Sequence, residues 1–262
     1  MQQRADRVSH IRRQVHAAYV IAKKDARVYY LKPPVISFGI VFPFFFYLAF
    51  AAGRSEPVSA MVPGIVAMAL FFTASAVGPL VTPWERQAKT YERLVTSPAS
   101  LSAILLGDMA AGAMFGITLS AVPLVLGGLL AGSTITAPLS LCLGIGLGAA
   151  TFSALGILIA ARATSTPSEI MMLANLIRLP LIFIIGVFVP VAEMTEWGQR
   201  LAPLSPLSYS ADLIRIGLGS VGYFSVAASV AMLLAFMAAF IAARRGPQAD
   251  RQGEHRMRQI PR

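Results

Sequence analysis

The sequence has few charged residues. Asp, Glu, Lys and Arg together make up 13% of its 262 residues, about half of the roughly 25% found in soluble globular domains. Hydrophobic residues make up 56%, and several uninterrupted apolar runs reach the roughly 20 residues that a helix needs to cross a bilayer. This composition excludes an ordinary soluble domain and predicts an all-α integral membrane protein.

Residues that serve as nucleophiles or metal ligands are also scarce. The single cysteine, Cys142, lies in an apolar run and offers neither an intrachain disulfide nor a thiol site. The histidines His10, His16 and His255 lie in the terminal segments and form no His-Glu-x-x-His pair. Neither a G-x-S-x-G elbow nor a G-x-x-x-x-G-K-[ST] phosphate loop is present. We therefore expect no enzyme, metal or cofactor on this chain, and ATP with its magnesium would bind a separate one.

Acidic residues are outnumbered, 12 to 22, which gives a formal net charge of +10. Eight of the basic residues lie in residues 1–34 and six in residues 244–262. Both segments flank apolar runs, so the preference for positive charge on the cytoplasmic side of a membrane explains the excess. No basic nucleic-acid-binding motif accompanies the charge, and we expect no nucleic-acid partner.

Six transmembrane helices are predicted in residues 35–243. The spans lie at about residues 35–52, 58–81, 103–126, 139–161, 169–189 and 223–243. The two terminal segments and the connections on their side carry 18 Lys and Arg residues, against three on the opposite side. This asymmetry predicts a multi-pass protein of a prokaryotic cell membrane, with both termini and the basic tail 244–262 in the cytoplasm.

The segment 1–34 is predicted to form an amphipathic helix. Its apolar positions recur at helical spacing at Ile11, Val15, Ala18, Ala22, Ala26 and Tyr29. A second face carries Arg12, His16, Tyr19, Lys23 and Arg27. A basic face beside an apolar stripe is typical of a helix that lies in the membrane interface. The alternative is a solvated helix packed on a soluble partner.

The connection Thr82–Ser102 is the most polar segment between two spans. Thr82 is a predicted helix N-cap, Pro83 fits the first helical position, and Glu85 completes a capping box. The spacing of Trp84, Ala88, Tyr91 and Val95 places these side chains on one face. We predict a short amphipathic helix that begins at Thr82. The alternative is a solvated helix in an ordinary connecting loop.

Three polar side chains are predicted inside the spans: Asp108, Asn175 and Arg178. An unpaired charge at such depth is costly, so Arg178 should face the protein interior, reach the interface or pair with an acid. Two interpretations are open. The three residues line a translocation path or dimer seam, or Asp108 and Arg178 form an ion pair that fixes the register of two helices.

The last connection, Pro190–Gly222, is predicted to lie outside the cell. Two short helices are expected in it, at Glu193–Leu201 and Ser208–Leu218. Trp197 and Tyr209 would then be aromatic anchors at the interface. The alternative is a plain surface loop.

Small residues recur in the spans. Gly112 and Gly116, and likewise Gly144 and Gly148, are four residues apart, and this spacing predicts close helix packing.

Two passages resemble the membrane-spanning subunits, or permeases, of type-2 ABC transporters. Members of that family carry E-R-x-x-G-T-x-E-x-L after the second span, then S-P and a leucine-glycine pair. This chain has Glu85-Arg86-Gln87-Ala88-Lys89-Thr90-Tyr91-Glu92-Arg93-Leu94, then Ser97-Pro98 and Leu106-Gly107. Before the last span the family favours N-P-L-[ST]-Y, and this chain has Ser205-Pro206-Leu207-Ser208-Tyr209, then Asp212 and Arg215. Lys89 replaces the family's glycine, and Ser205 its asparagine.

The resemblance implies the permease of an ATP-driven exporter, working with two copies of a separate ABC ATPase and a second permease copy as a homodimer. Thr82–Thr96 would be the coupling helix, whose ATPase contacts are Trp84, Glu85, Arg86, Tyr91, Glu92, Arg93 and Leu94. The external helices would form a re-entrant pair, with gate residues Pro206, Tyr209, Asp212 and Arg215.

The substrate is expected to be hydrophobic or amphipathic, either drug-like or lipid-like. Polysaccharide, lipo-oligosaccharide and haem-related cargo remain open under the same mechanism. The rival classes are an ATP-independent secondary transporter or channel and a membrane scaffold. A proton-coupled carrier would be expected to have several carboxylates within its spans, whereas Asp108 is the only acidic residue predicted well inside one.

Overall fold

The computed structural model describes residues 13–25, 37, 41, 44–45, 47–49, 58–87, 101–161, 166–184 and 191–258. All regular secondary structure in this part of the chain is helical. The α-helices are α1 (13–25), α2 (Val62–Gln87), α3 (Leu101–Ala131), α4 (Pro138–Ala160), α5 (Pro167–Ile184), α6 (Glu196–Leu201), α7 (Pro206–Gly217) and α8 (Val226–Arg258). Short 3-10 helices occupy Val58–Met61, Val191–Glu193 and Ala202–Leu204.

Four helical segments among the described residues are long and apolar enough to cross a membrane. They are Ser59–Glu85, Ser102–Ala131, Pro138–Ala160 and Val226–Arg244, which lie where the second, third, fourth and sixth spans are predicted. Helix α5 lies where the fifth is predicted and is not among the four. The first predicted span falls mostly outside the described residues, so the count of six stays a prediction.

Helix α2 forms the centre of the bundle. In its most apolar stretch 94% of the residues are buried inside the protein, against 11% for the corresponding stretch of α8. Helices α3, α4, α5 and α7 all pack against α2, and Phe71 meets Phe152 of α4 edge to face, with ring centroids 5.0 Å apart. Because lipid is itself apolar, the exposed surface of α8 needs no covering by protein, whereas α2 is held by side-chain packing on every side.

Glycines set the distances between these helices. A Cβ atom on Gly78 of α2 would lie 2.7 Å from the carbonyl carbon of Gly156 in α4, so the two backbones touch there. Gly112 of α3 meets the Ala74 carbonyl of α2, and Gly144 of α4 meets Leu213 of α7. The predicted role of the four-residue glycine spacing in close packing is confirmed, and the contacts lie within one chain.

Helix α7 runs beside α4 and is almost entirely buried. Its Ser210 hydroxyl donates a 2.9 Å hydrogen bond to the Gly144 carbonyl. Its last residue, Gly217, accepts the backbone N–H groups of Thr136 and Ala137 at 3.0 and 3.1 Å. Ser210 also contacts Gly148, about 15 Å along α4 from its start at 1.5 Å per residue. The burial of α7 excludes the surface-loop interpretation for this helix.

The prediction that a new helix begins at Thr82 is wrong. Helix α2 continues without a break through Thr82 and Pro83 to Gln87, and Thr82 is buried in the packed bundle. Packing on neighbouring helices has outweighed the local capping signal, since a capping side chain is favourable only where a helix actually starts. Residues 88–100, which hold the rest of the predicted helix, lie outside the described residues.

Candidate functional site

The last turn of α2 contacts α1. The Lys24 ammonium of α1 binds the Glu85 carboxylate of α2 and lies 3.1 Å from the Asp25 carboxylate. Glu85, which the resemblance assigns to an ATPase contact, is therefore held within the chain. Trp84 presents half of its surface to the outside, as a partner contact would require.

The remaining predicted ATPase contacts cannot be placed in the same detail. Arg86 belongs to α2, and its side chain lies outside the described part. Tyr91, Glu92, Arg93 and Leu94 also lie outside it. Their docking role stays a prediction.

Helix α1 packs on the start of α3 at Gly107. A Cβ atom there would lie 2.8 Å from the Ile21 Cβ and 2.9 Å from the Ala18 carbonyl oxygen. Only a glycine lets the two helices meet this closely. The leucine-glycine pair that the sequence shares with type-2 permeases thus receives α1 in this chain.

The same contact brings Asp25 beside Asp108. The two carboxyl groups lie close enough to influence each other electrostatically, and the Asp25 side chain is fully buried. Burial raises the pKa of Asp25, and the positive charge of Lys24 only partly offsets this. Asp25 is thus a buried acidic side chain at the point where α1 meets α3.

The surroundings of Lys24, unlike those of Asp25, favour the charged form of the side chain. Burial, the largest single influence, lowers its pKa, but the hydrogen bond to Glu85 and the charges of Asp25 and Glu85 together raise it above the usual value. The ammonium therefore stays charged and holds α1 to α2. Within the described residues no group of acidic, histidine or cysteine side chains has an arrangement that could hold a metal ion.

Arg178 and Asp108 do not meet. The Arg178 side chain is 2% exposed, and its Nη2 donates a hydrogen bond to the Ser75 carbonyl of α2. In the described part of the chain no ion pair joins it to Asp108, which lies beside α1 instead. The proposed Asp108–Arg178 pair is therefore wrong. Asn175, one turn away on α5, is half-buried, and the lining role of the three residues stays a prediction.

The predicted gate residues lie on α7, the helix beside α4. Pro206 occupies its first turn, and the Ser205 side chain caps it by accepting the Leu207 N–H at 3.3 Å. Tyr209 is buried, donates to the Pro203 carbonyl at 3.1 Å and packs its ring 4.6 Å from that of Phe224. The predicted exposure of Tyr209 as an interface anchor is therefore wrong, whereas Trp197 of α6 is exposed.

Asp212 fastens α7 to the start of α8. Its two carboxylate oxygens accept the backbone N–H groups of Tyr223 and Phe224 at 2.9 and 2.8 Å. Arg215, one turn later, lies 3.8 Å from the same carboxylate. Burial raises the pKa of Asp212 and lowers that of Arg215, and each charge partly counters the shift of the other. Asp212 and Arg215, which belong to the passage that resembles type-2 permeases, thus form a buried polar link between α7 and the start of the last predicted span.

Sequence reasoning missed the roles of Lys24, Asp25 and Ser75. Asp25 is three residues after Ala22 on the apolar stripe of α1, so a lone acid on that stripe was an available signal. For Ser75 the signal was Pro79, four residues further along the same helix. Neither signal names the partner, which only the packing of the helices supplies.

The described residues form a helical membrane protein whose central helix, α2, ends at Gln87, just after its contact with α1. Charged side chains are buried at both ends of the helix bundle, around Asp25 at one end and at Asp212 and Arg215 at the other. The sequence matches the family model of the ABC-2 type transporter over residues 17–219, from α1 to the turn after α7. The chain belongs to this family. It is a permease, the transport subunit of an ABC transporter, which associates with an ABC ATPase subunit. No curated protein matches the sequence.

Proposed function

We propose that the protein is the permease of an ATP-driven exporter that moves a hydrophobic or amphipathic, drug-like or lipid-like substrate by alternating access. Two ATPase subunits would bind ATP and magnesium, and two copies of this chain would form the path. Closure of the ATPases would move the segment from Trp84 to Thr96, which docks on them. The permease contributes no hydrolytic chemistry of its own.

The observation that carries this proposal is the continuity of α2. One helix, Val62–Gln87, includes both the buried centre of the bundle and Trp84, the first residue of the predicted docking face. A helix resists bending except where its hydrogen-bond ladder is interrupted. A displacement at Gln87 therefore reaches the centre of the bundle along one helix, and Pro79 and Pro83 are the points at which that helix can bend.

Helix α1 supports the same role. The Lys24–Glu85 ion pair and the contact at Gly107 fasten α1 to the end of α2 and to the start of α3. The three helices therefore move as one body when the segment after Gln87 is pushed. This arrangement is better suited to a helix that transmits force than to one that is loosely attached in the membrane interface.

The exit side is closed by α7. This helix penetrates about 15 Å along α4 at 1.5 Å per residue and returns at Gly217, beside Leu141. Such a path is what a re-entrant helix requires. Asp212 couples it to α8, so tilting of the last span would move the gate.

Exposed apolar surface supports pairing with a second copy in the bilayer. Only 28% of the most apolar stretch of α3 and 11% of that of α8 is buried within one chain. On α5 the side chains of Met172, Leu176 and Leu179 form an exposed stripe. Lipid or a second permease can cover these faces, and a path between two copies would be lined by apolar side chains. This lining favours a lipid-soluble substrate.

Transport can be tested in proteoliposomes that contain the permease and its ATPase. We expect ATP-dependent movement of a lipophilic dye or a fluorescent phospholipid, abolished when the ATPase cannot hydrolyse ATP. Failure of the ATPase to co-purify would contradict the coupling proposal. Coupled ATP hydrolysis that moves neither probe, but moves a polysaccharide or a haem derivative, would replace the proposed substrate class.

The docking segment can be tested by removing its charges. Replacing Glu92 and Arg93 together by alanine should lower substrate-stimulated ATP hydrolysis and transport, because the oriented charges would no longer meet the ATPase. The matched control replaces Glu196 and Arg200 of α6, an exposed ion pair at 3.6 Å with side chains 90% and 82% exposed. Normal coupling in the first variant would remove Thr82–Thr96 from the docking role.

A further inference from the structure

Helix α2 contains a carbonyl group that its own backbone cannot satisfy. In an α-helix the N–H group of residue i bonds to the carbonyl of residue i−4. Pro79 lies inside α2 and has no N–H group. Pro79 therefore deprives the carbonyl of Ser75, a residue with no exposed surface, of its usual donor, as Pro83 does that of Pro79.

Arg178 of α5 supplies the missing donor. Its Nη2 donates to the Ser75 carbonyl across 103 residues of sequence. On another side the carbonyl contacts Gly156 of α4, where a Cβ atom would collide with it. The group is thus covered by α4 on one side and bonded by α5 on another.

This arrangement holds the guanidinium less firmly than an ion pair would. A carbonyl accepts a charge-assisted hydrogen bond but does not neutralise the cation. Among the described residues the buried Nε atom of Arg178 has no hydrogen-bond partner, and the Ser75 carbonyl is the one acceptor of its guanidinium. A buried charge with a neutral acceptor and a spare donor is suited to a contact that forms in one state of the protein and breaks in another.

The contact lies at a point where a small bend in α2 would move the end of that helix. Pro79 is eight residues from Gln87, about 12 Å at 1.5 Å per residue. A change of about 20° in a proline bend would displace Gln87 by about 4 Å. The segment that begins there is the one proposed to dock on the ATPase.

We propose that Arg178 is a positioning residue that sets the bend of α2 at Pro79, and through it the orientation of the end of α2 toward the ATPase. The consequence for coupling rests on the proposed function, whereas the link between Arg178 and Pro79 does not. Displacement of α5 would withdraw the guanidinium, free the Ser75 carbonyl and let the two halves of α2 reorient.

A double-mutant cycle tests this link. Pro79→Ala restores an N–H group that can bond to the Ser75 carbonyl within the helix, so Arg178 should then become dispensable. The change Arg178→Met removes the donor at similar length, and Arg178→Lys keeps a cationic donor. The control proline is Pro180 of α5, whose replacement by alanine restores an N–H group within α5 and supplies no new backbone donor to the Ser75 carbonyl.

The direct readout is the distance between spin labels at Gln87 and Ala243, two exposed positions toward the same end of the bundle, in a Cys142→Ala background with the ATPase-bound complex in lipid nanodiscs. We expect Arg178→Met to shift or broaden this distance by up to about 4 Å, the sideways displacement that the lever length gives, and Arg178→Lys to restore it in part. The shift should vanish in the Pro79→Ala background and persist in the Pro180→Ala background. If Arg178→Met fails to assemble, recovery of the complex by Pro79→Ala, but not by Pro180→Ala, has the same meaning.

Two results would overturn the proposal: a shift from Arg178→Met that is equal with and without the Pro79→Ala change, or no shift in either background. The ratio of substrate-stimulated to basal ATP hydrolysis, measured on the same complexes, is expected to fall toward one in Arg178→Met. An unchanged ratio would overturn the coupling part. A complex that obeys the distance cycle but moves no probe in any variant would count against the proposed function and leave the Arg178–Pro79 link standing.

Discussion

Replacing Gly156 by alanine puts a methyl group into the backbone contact between α4 and α2. The new Cβ atom would lie 2.9 Å from the Ser75 carbonyl carbon and 3.0 Å from its Cα, and closer still to the oxygen. All three are main-chain atoms, so no side chain can rotate away and the helices must separate. Overpacking of this kind costs about 1–3 kcal/mol, while the alanine gains about 1 kcal/mol of helix propensity.

The same change at Gly146 separates these two contributions. Gly146 lies on the same helix, and a Cβ atom there meets nothing within 4 Å. Gly146→Ala therefore carries the propensity gain without the collision, and the difference between the variants isolates the packing cost. At a cost of about 2 kcal/mol the gap in Tm is about 4–8 °C, at about 2–4 °C per kcal/mol for a domain of about this size.

The assay is thermal unfolding of both purified variants in one detergent, followed by intrinsic fluorescence. We expect Gly156→Ala to unfold below Gly146→Ala and below the wild type. Equal melting temperatures for the two variants would mean that α2 and α4 do not touch at Gly156. The enclosure of the Ser75 carbonyl would then be wrong as well.

Three further predictions concern the two ends of the bundle. Gly107→Val should push α1 away from α3, and cysteine crosslinking between these helices should drop accordingly. Asp212→Ala should lower the free energy of unfolding by about 1–3 kcal/mol, because the partly buried N–H groups of Tyr223 and Phe224 lose their acceptors, and hydrogen exchange at the start of α8 should accelerate. The pKa of Asp25 is raised in the folded state, so its charge disfavours folding as pH rises above its ordinary range. Asp25→Asn should therefore raise Tm more at neutral pH than at a pH below the ordinary range of a carboxyl group.

Much of the helical framework could be predicted from the sequence because apolar runs of spanning length have few alternatives to helix in a bilayer. The glycine pairs at Gly112 and Gly144 were informative for the same reason, since close backbone packing needs small residues. The end of α2 was not predictable in this way. The local capping pattern at Thr82 predicted that a helix starts there. Burial against neighbouring helices decides instead whether α2 continues through that position.

The charged residues were the least predictable part. Arg178 and Asp108 have opposite charge and lie on spans, so an ion pair between them was the simplest arrangement. Their actual partners depend on how the helices pack. A main-chain carbonyl freed by Pro79 has no side-chain signature, and Asp25 lies on a helix predicted to rest on the membrane surface. Placing either contact requires the register of three helices at once.

The Ser75 carbonyl and its donor are made at different times. Arg178 follows Ser75 by 103 residues, and at about 5–20 residues per second the ribosome needs about 5–20 s to add them. During that interval the nascent α2 carries an unsatisfied polar group at its centre, beside glycines that have no neighbouring helix to meet. The membrane insertion machinery must shelter α2 until α4 and α5 arrive. Nascent chains truncated before α5 should therefore be held by that machinery or degraded, whereas chains that extend past α5 can be released into lipid.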